Sequence, residues 1–300
     1  MKSNKKSKSL YQIVLNLVLF AISLCFVMPL FLIISTSLTG SETMREYGYL
    51  FFPRELDFTA YQHIFRNPTQ VIYSYKTTII VSIATCVLST FIMALAAYPL
   101  SRREFIGRKA ITFFILFTML FGGGLIPSYI INTQFLHLGN SYLIYILPAL
   151  FGGWYTFIMR TFFKGLPEGI IESARIDGAN EWSIFFRFIL PLSKPVLATV
   201  ALFMLLAKWN DWNTSLIYIR DDRLYSLQYL LQRILREAEF IKQMNENMDL
   251  GSITVGASKS ASIETIRYAM VVVAAGPMLV IFPFFQKYFA KGLTVGSVKG

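Results

Sequence analysis

The chain has 300 residues, of which 55% are hydrophobic and only 15% charged, and its mean hydropathy is +0.53. Soluble domains carry about 25% charged residues, so this composition excludes a disordered chain, a nucleic-acid-binding arm and most soluble enzymes. The net charge of +11 is what basic cytoplasmic loops of a membrane protein supply, and it requires no nucleic-acid partner.

The apolar residues come in blocks, and six of these reach the roughly 20 residues that a helix needs to cross a bilayer. In chain order they cover about Tyr11–Thr36, Tyr75–Leu100, Ala110–Ile131, Tyr142–Phe163, Pro195–Tyr218 and Tyr268–Ala290. Irregular backbone cannot face lipid, so each block reads as an α-helix. The fold class is therefore an all-α membrane protein with six transmembrane helices. The first block follows Lys2, Lys5, Lys6 and Lys8 but is too long for a signal peptide, and no small-residue cleavage site follows it. It reads as a retained helix. Cys25 and Cys86 lie inside apolar blocks with no metal-ligand neighbour and read as small core residues.

Orientation follows from the basic residues. With the N-terminus inside, the cytoplasmic segments (the basic arm, 101–109, 164–194 and the tail after 286) hold 15 basic and 5 acidic residues. The external segments 37–74, 132–141 and 219–267 hold 10 basic and 11 acidic. Both termini are thus expected in the cytoplasm. Residues 1–70 form a basic arm, a first helix and an external segment whose aromatics (Phe51, Phe52, Phe58, Tyr61) suggest order. Residues 71–291 form a five-helix core, and 292–300 a tail.

The most informative stretch is the cytoplasmic loop 166–191. Pro167 suits a helix start, and Ile170, Ile171 and Ala174 then share a face. Asp177-Gly178 signals a turn in which glycine can take positive φ. Asn180 can cap a second helix, whose Trp182, Phe185, Phe186 and Ile189 fall at helical spacing before Pro191 ends it. This helix–turn–helix reads either as an amphipathic hairpin resting on the membrane or as a docking element. In the second reading the small residues Ser173, Ala174 and Gly178 admit a partner groove.

Two features lie within the spans. Gly122–Gly124 and Pro127 interrupt the third helix, either for close helix packing or to line a cavity. In the fifth helix Trp209, Asn210, Asp211, Trp212 and Asn213 form a polar, aromatic patch. It lies some 20 Å from the cytoplasmic face at about 1.5 Å per residue. Ionisable groups at that depth face a cavity or a partner charge. Aromatic faces beside amides and a carboxylate suit a sugar, whereas a Lys208–Asp211 pair would simply neutralise itself. No G-x-x-x-x-G-K-[S/T] loop occurs, so ATP has no such phosphate cradle here. His63 and His137 are isolated and carry no assigned role.

The loop resembles the EAA signature of ABC importer permeases: Glu172, Ala174, Gly178, Leu190 and Pro191 match in type and spacing, with Ser173 for the middle alanine and Phe188 where isoleucine is usual. The stretch Phe121–Pro127, the run Trp209-Asn-Asp-Trp212 and the ending Lys291–Gly300 resemble MalG-type carbohydrate permeases of the complex-oligosaccharide branch. The resemblance implies the type I ABC importer fold, with Glu172, Ser173, Ala174, Asp177, Gly178 and Trp182 coupling to an ATPase. It implies a substrate pathway past Gly123, Gly124, Trp209, Asn210, Asp211 and Trp212. The tail residues Gly292, Val295 and Gly296 would reach the ATPase interface, unless the tail is only a frayed end. Implied partners are a second homologous permease forming a heterodimer, two ATP-binding subunits and an extracellular or lipid-anchored sugar-binding protein. ATP and Mg would be bound by those partners, with no cofactor in this chain, in a bacterial plasma membrane. The competing classes are an ion-coupled secondary transporter, which would show ionisable relays in several spans and an internal repeat, and a membrane scaffold. Only Asp211 is acidic within a span interior, and no repeat is visible.

Overall fold

A computed structural model describes residues 3–247 and 263–297, and among these it contains helices and no strand, only one isolated bridge between Thr39 and Leu56. The chain divides into two compact units, one made of Met1–Asn67 with Arg233–Pro277 and one of Pro68–Gln232 with Met278–Gly300.

In the first unit α1 (Ser3–Ser37) carries an apolar span, Tyr11–Ser37. Nearly all its side chains from Tyr11 to Leu30 are exposed, as lipid-facing residues of a helix without neighbours would be. Cys25 is among them, which corrects its reading as a core residue. The chain then folds back on the end of α1. Ser35 Oγ donates to Leu50 O at 2.7 Å, Ser37 Oγ lies 2.8 Å from Tyr61 Oη, and Asp57 N donates to Leu38 O at 2.9 Å. The aromatics expected to order this segment do so: Phe52 meets Phe31 edge-on at 5.6 Å. Two short helices, α2 (Ser41–Tyr47) and α3 (Thr59–Ile64), complete it.

In the second unit α4 (Pro68–Ser101) is the central element. Its buried face runs Ser74, Thr78, Ser82, Thr85 and Ser89, then Met93 and Ala97. Small side chains at helical spacing let helices approach closely inside a bilayer, and α8 (Gly153–Lys164) and α12 (Lys194–Trp209) pack along α4. Cys86 lies in this region, its thiol 3.2 Å from Ala201 O.

Three of the six expected spans are not straight helices. The third divides into α5 (Arg108–Leu120) and α6 (Leu125–Ile130) with a widened π turn to Phe135, bent by 111°. The break falls at Phe121–Gly124, where Gly124 takes φ +81°. The fourth divides at Leu150–Gly152, between α7 (Leu143–Ile146) with its 3₁₀ turn to Ala149 and α8, bent by 47°. The fifth ends early: α12 stops at Trp209 and α13 (Asn213–Tyr218) follows a break. Glycine, proline and capping side chains each free or satisfy backbone groups at these points, which apolar block length alone does not reveal. Segment 219–267, expected only as an external loop, contains the helix α14 (Leu227–Asn247), whose first turns bury Leu227, Leu230 and Leu231. The chain returns in α15 (Ile263–Ser297), apolar enough to cross a membrane over Ile263–Phe284.

The start of α8 is packed against α5. A Cβ on Gly153 would stand 2.7 Å from Met119 Sδ and 2.9 Å from Ile115 Cγ2, whereas one on Gly122 would meet nothing within 4 Å. Gly153→Val is expected to destabilise the fold by about 1–3 kcal/mol through overpacking, read as a lower thermal unfolding midpoint in detergent. Gly122→Ala should leave that midpoint unchanged.

Candidate functional site

Loop 166–191 follows α8. Pro167, with φ −58°, precedes α9 (Glu168–Ile176), and the helix presents two faces. Ile171 and Ala174 are buried, while Glu172 and Ser173 are exposed and Ile176 is 86% exposed. Ile170, expected on the buried face, lies at its margin. Ala174 is packed into the chain's own core and offers a partner little surface, unlike Glu172 and Ser173. The helix closes in a Schellman turn: Ala179 N donates to Ala174 O at 2.9 Å and Gly178 N to Arg175 O at 3.0 Å. Gly178 takes φ +80°, and a Cβ on it would meet nothing within 4 Å, so glycine is required by backbone conformation rather than by space.

Asn180 Oδ1 then accepts from Ser183 N at 2.8 Å, the cap expected from the sequence, and α10 (Glu181–Ile184) begins. It passes through a π turn, Phe185–Ile189, into α11 (Leu190–Leu192). The wide turn stacks residues five apart, so the buried line is Ile184, Phe185 and Ile189. Trp182 and Phe186, expected on that line, are exposed and stack on each other at 6.3 Å. Pro191 falls one residue before the end of this helical run at Leu192, as the sequence suggests. The chain then bends at Ser193 by 79° into α12.

The inner face of the loop belongs to one core with Met93, Ala97 and Tyr98 of α4, Met159 and Phe163 of α8, and Val196 and Val200 of α12. A polar clamp fixes it further. Tyr98 Oη donates to Glu181 Oε2 at 2.6 Å, and Arg175 bridges Glu181 at 3.0 Å and Glu104 at 2.8 Å. Burial works against the Arg175 charge, but the bonds to Glu104 and Glu181 outweigh it and raise its pKa above the ordinary value. The clamp's Arg175–Glu104 and Tyr98–Glu181 contacts join residues 71 and 83 positions apart and have no local signature. Ile176 is a further exposed residue of the outer face that the motif does not include; its only signal in the sequence is an apolar side chain off the buried face.

The patch at the end of α12 is likewise engaged. Trp209 is buried. Lys208 Nζ lies 2.9 Å from Asp211 Oδ2, with both side chains only 14% exposed. Asp211 also caps α13, accepting from Thr214 N at 3.0 Å and from Thr214 Oγ1 at 2.8 Å. Asn210 donates to Leu206 O and accepts from Gln228. Trp212 remains exposed. Behind them Tyr145 Oη bonds Ser215 Oγ at 2.6 Å and donates to Leu224 O, while Ser226 Oγ donates to Asp211 O. Gly123 and Gly124 are exposed, and only Pro127 lies within 4 Å of either Cβ position, so close packing within this chain does not explain them. Tyr129 of α6 stacks on Tyr218 of α13 at 5.6 Å, so the two broken segments do meet. Gly292, Val295 and Gly296 lie in the last turns of α15; their side-chain surroundings and residues 298–300 fall outside the described residues.

Residues 78–295 match the model of the binding-protein-dependent transport system inner membrane component family. The chain belongs to that family. It is 36% identical over 283 residues to the polygalacturonan/rhamnogalacturonan transport system permease protein YtcP of Bacillus subtilis, covering 94% of this chain and 96% of that one. It is 30% identical to the arabinooligosaccharides transport system permease protein AraQ of the same organism, over 97% of each. It superposes with a TM-score of 0.72 and 28% identity on a solved bacterial ABC transporter involved in import of the acidic polysaccharide alginate, covering 94% of this chain and 98% of that one. The protein is thus a multi-pass membrane permease subunit of an ABC importer, a transport rather than an enzymatic component of a larger complex.

The permease's Lys208–Asp211 contact generates a prediction. Asp211→Asn keeps an acceptor for Thr214 N but leaves Lys208 unpaired, and Asp211→Ala also loses the cap, worth about 0.5–2 kcal/mol more. Thermal midpoints should fall in the order wild type, Asn, Ala, and Lys208→Gln should restore part of the Asp211→Asn loss. Purely additive single and double variants would show that the pair contributes nothing.

Proposed function

We propose that this permease forms half of a translocation pathway for oligosaccharides and couples it to ATP hydrolysis through loop 166–191. The observation that carries this is the two-faced loop. Its inner face is buried in the core of α4, α8 and α12, and its outer face presents Glu172, Ser173, Ile176, Asp177, Gly178 and Trp182 around a turn that only glycine adopts freely. A surface element held this firmly transmits a push from a docked subunit to the membrane helices. The names of the two relatives and the solved transporter given above, which are polysaccharide or oligosaccharide transport systems, support the substrate class.

In this reading a second, homologous permease completes the pathway, and two ATP-binding subunits dock at the paired loops and hold ATP and Mg. An external or lipid-anchored binding protein delivers the sugar, with both termini of this chain in the bacterial cytoplasm. The tail past Gly292, with Val295 and Gly296, extends toward the ATPase side. Of the proposed pathway residues, Gly123, Gly124, Asn210 and Trp212 are exposed to face a substrate, with Trp209 and Asp211 behind them. Trp212 is the exposed aromatic among them, and Asp211 and Trp209 support it.

Gly178→Val places a β-branched residue at φ +80°, which costs roughly 1–2 kcal/mol locally and displaces the turn. The complex is expected to insert normally while sugar-stimulated ATP hydrolysis and uptake fall to background, or the ATPase is lost on purification. Normal coupled uptake by this variant would refute the loop's role. Separately, the chain purified free of other subunits is expected to hydrolyse no ATP, measured by phosphate release.

A further inference from the structure

Beside the loop, the ends of α4, α5 and α8 enclose a recess of about 270 Å³ that Arg102, Arg103, Arg108 and Lys164 line. Membrane-edge cations of this kind usually find an acidic neighbour or open water. Here Arg102 and Arg108 are instead held by backbone, at 3.5 Å from Phe163 O and Arg102 O respectively. Among the described residues no carboxylate lies within ion-pair distance of any of the four. Of the three glutamates on the rim, Glu104 is taken by Arg175, which leaves Glu168 and Glu172 against four cations. The recess is therefore electrostatically incomplete and calls for an anion.

A second cavity, of about 440 Å³, adjoins it and shares Arg102, Glu104 and Arg175 as a common wall. Its remaining lining is mainly apolar, Leu95, Tyr98, Pro99, Phe105, Trp182 and Phe185, with one carboxylate, Glu181, which Arg175 pairs at 3.0 Å. The neighbouring surface is lipid-like too, since Ile106 is fully exposed and Phe113 and Phe114 of α5 are largely so. A cationic recess opening onto an apolar cavity at the end of three membrane helices matches one kind of molecule, an amphiphile with an anionic head and a hydrocarbon tail.

We propose that the two cavities together hold one anionic phospholipid, its phosphate among Arg102, Arg103, Arg108 and Lys164 and an acyl chain against Leu95, Tyr98 and Phe185. A free phosphate would fill only the basic recess, and an acidic protein segment would leave the apolar cavity without a purpose. The bound lipid would bridge α4, α5 and α8 to the loop and stiffen the clamp through Arg175, an effect independent of which subunit docks outside.

The test uses the whole transport complex, purified and returned to phosphatidylcholine vesicles or discs with or without phosphatidylglycerol. Native mass spectrometry of the wild-type complex should retain phosphatidylglycerol. The double variant Arg108→Gln/Lys164→Gln should bind it about thirtyfold more weakly, because two of the four cations facing the phosphate are then neutral. Leu95→Trp, which fills the apolar cavity, should also lose it while keeping all four cations. Phosphatidylglycerol should raise the thermal midpoint of the wild type and not of these variants. Equal lipid retention by wild type and double variant would overturn the proposal. So would the same stabilisation by inorganic phosphate alone, which would mark a free-anion site. So would loss of the ATPase from the double variant in pure phosphatidylcholine, which would mark a protein contact.

Discussion

The two-faced form of loop 166–191 depends on one burial: its inner face is sunk into the core of α4, α8 and α12. Ile171, Ile184, Phe185 and Ile189 are all but inaccessible there, and full burial of such a side chain contributes about 1.5–3 kcal/mol against water, an upper figure for a real unfolded chain. Because the loop lies outside the spans, water is the right reference for it. The sum is large compared with the fraction of a kilocalorie that an exposed ion pair contributes. The apolar face therefore holds the loop down, and the Tyr98–Glu181–Arg175–Glu104 clamp chooses its orientation. Directional bonds do this better than apolar contact, since Tyr98 Oη at 2.6 Å from Glu181 tolerates little rotation.

The same division of labour appears inside the membrane. Lipid offers no hydrogen bonds, so each break in a spanning helix must be closed by the protein itself. The break after Trp209 is closed by Asp211, which caps α13 and pairs with Lys208. The break after Leu120 uses a different device: Gly124 at positive φ and Ser128 Oγ donating back to Gly124 O at 2.7 Å. The bend at Ser193 sits between Pro191 and Pro195, and Ser193 N still reaches Ile189 O at 3.0 Å. The breaks after Trp209 and at Ser193, bonded in this way, hold fixed geometry rather than mark local weakness.

What the sequence can tell follows the range of each interaction. Apolar blocks report the number of spans because hydrocarbon thickness acts on every residue of a span alike. The turn at Asp177-Gly178 and the Asn180 cap are legible because both are settled within four residues. The break between α5 and α6 is legible in Gly122–Gly124, but its 111° angle and the bend between α7 and α8 are not, since a bent pair and a straight helix have the same composition. The facing of Trp182 and Phe186 departs from helical spacing because a π turn shifts the register by one residue, and nothing in a 3.6-residue period announces it. Ala174 escapes the sequence pattern for a related reason: smallness suits a partner groove and a tight core equally, and only the positions of Ile171 and Tyr98 decide between them. The clamp, α14 and the recess by Lys164 require knowing which distant ends meet.

The patch after α12 is largely engaged within the chain itself. Five polar and aromatic residues in a row look like a set of sugar ligands. Once folded, the Asp211 carboxylate holds three donors, Lys208 Nζ, Thr214 N and Thr214 Oγ1, and a carboxylate offers about four acceptor sites in all. Asn210 already uses one amide N–H and one carbonyl lone pair, and Trp209 is buried. A passing sugar presents many hydroxyls, each needing a partner, and little of that capacity is left here. What remains open is the indole of Trp212, a flat apolar face suited to the C–H surface of a sugar ring and held in place by the bonds around it. Weak stacking at a fixed position is also what transport needs, because a ligand gripped by a full set of hydrogen bonds would not be released onward.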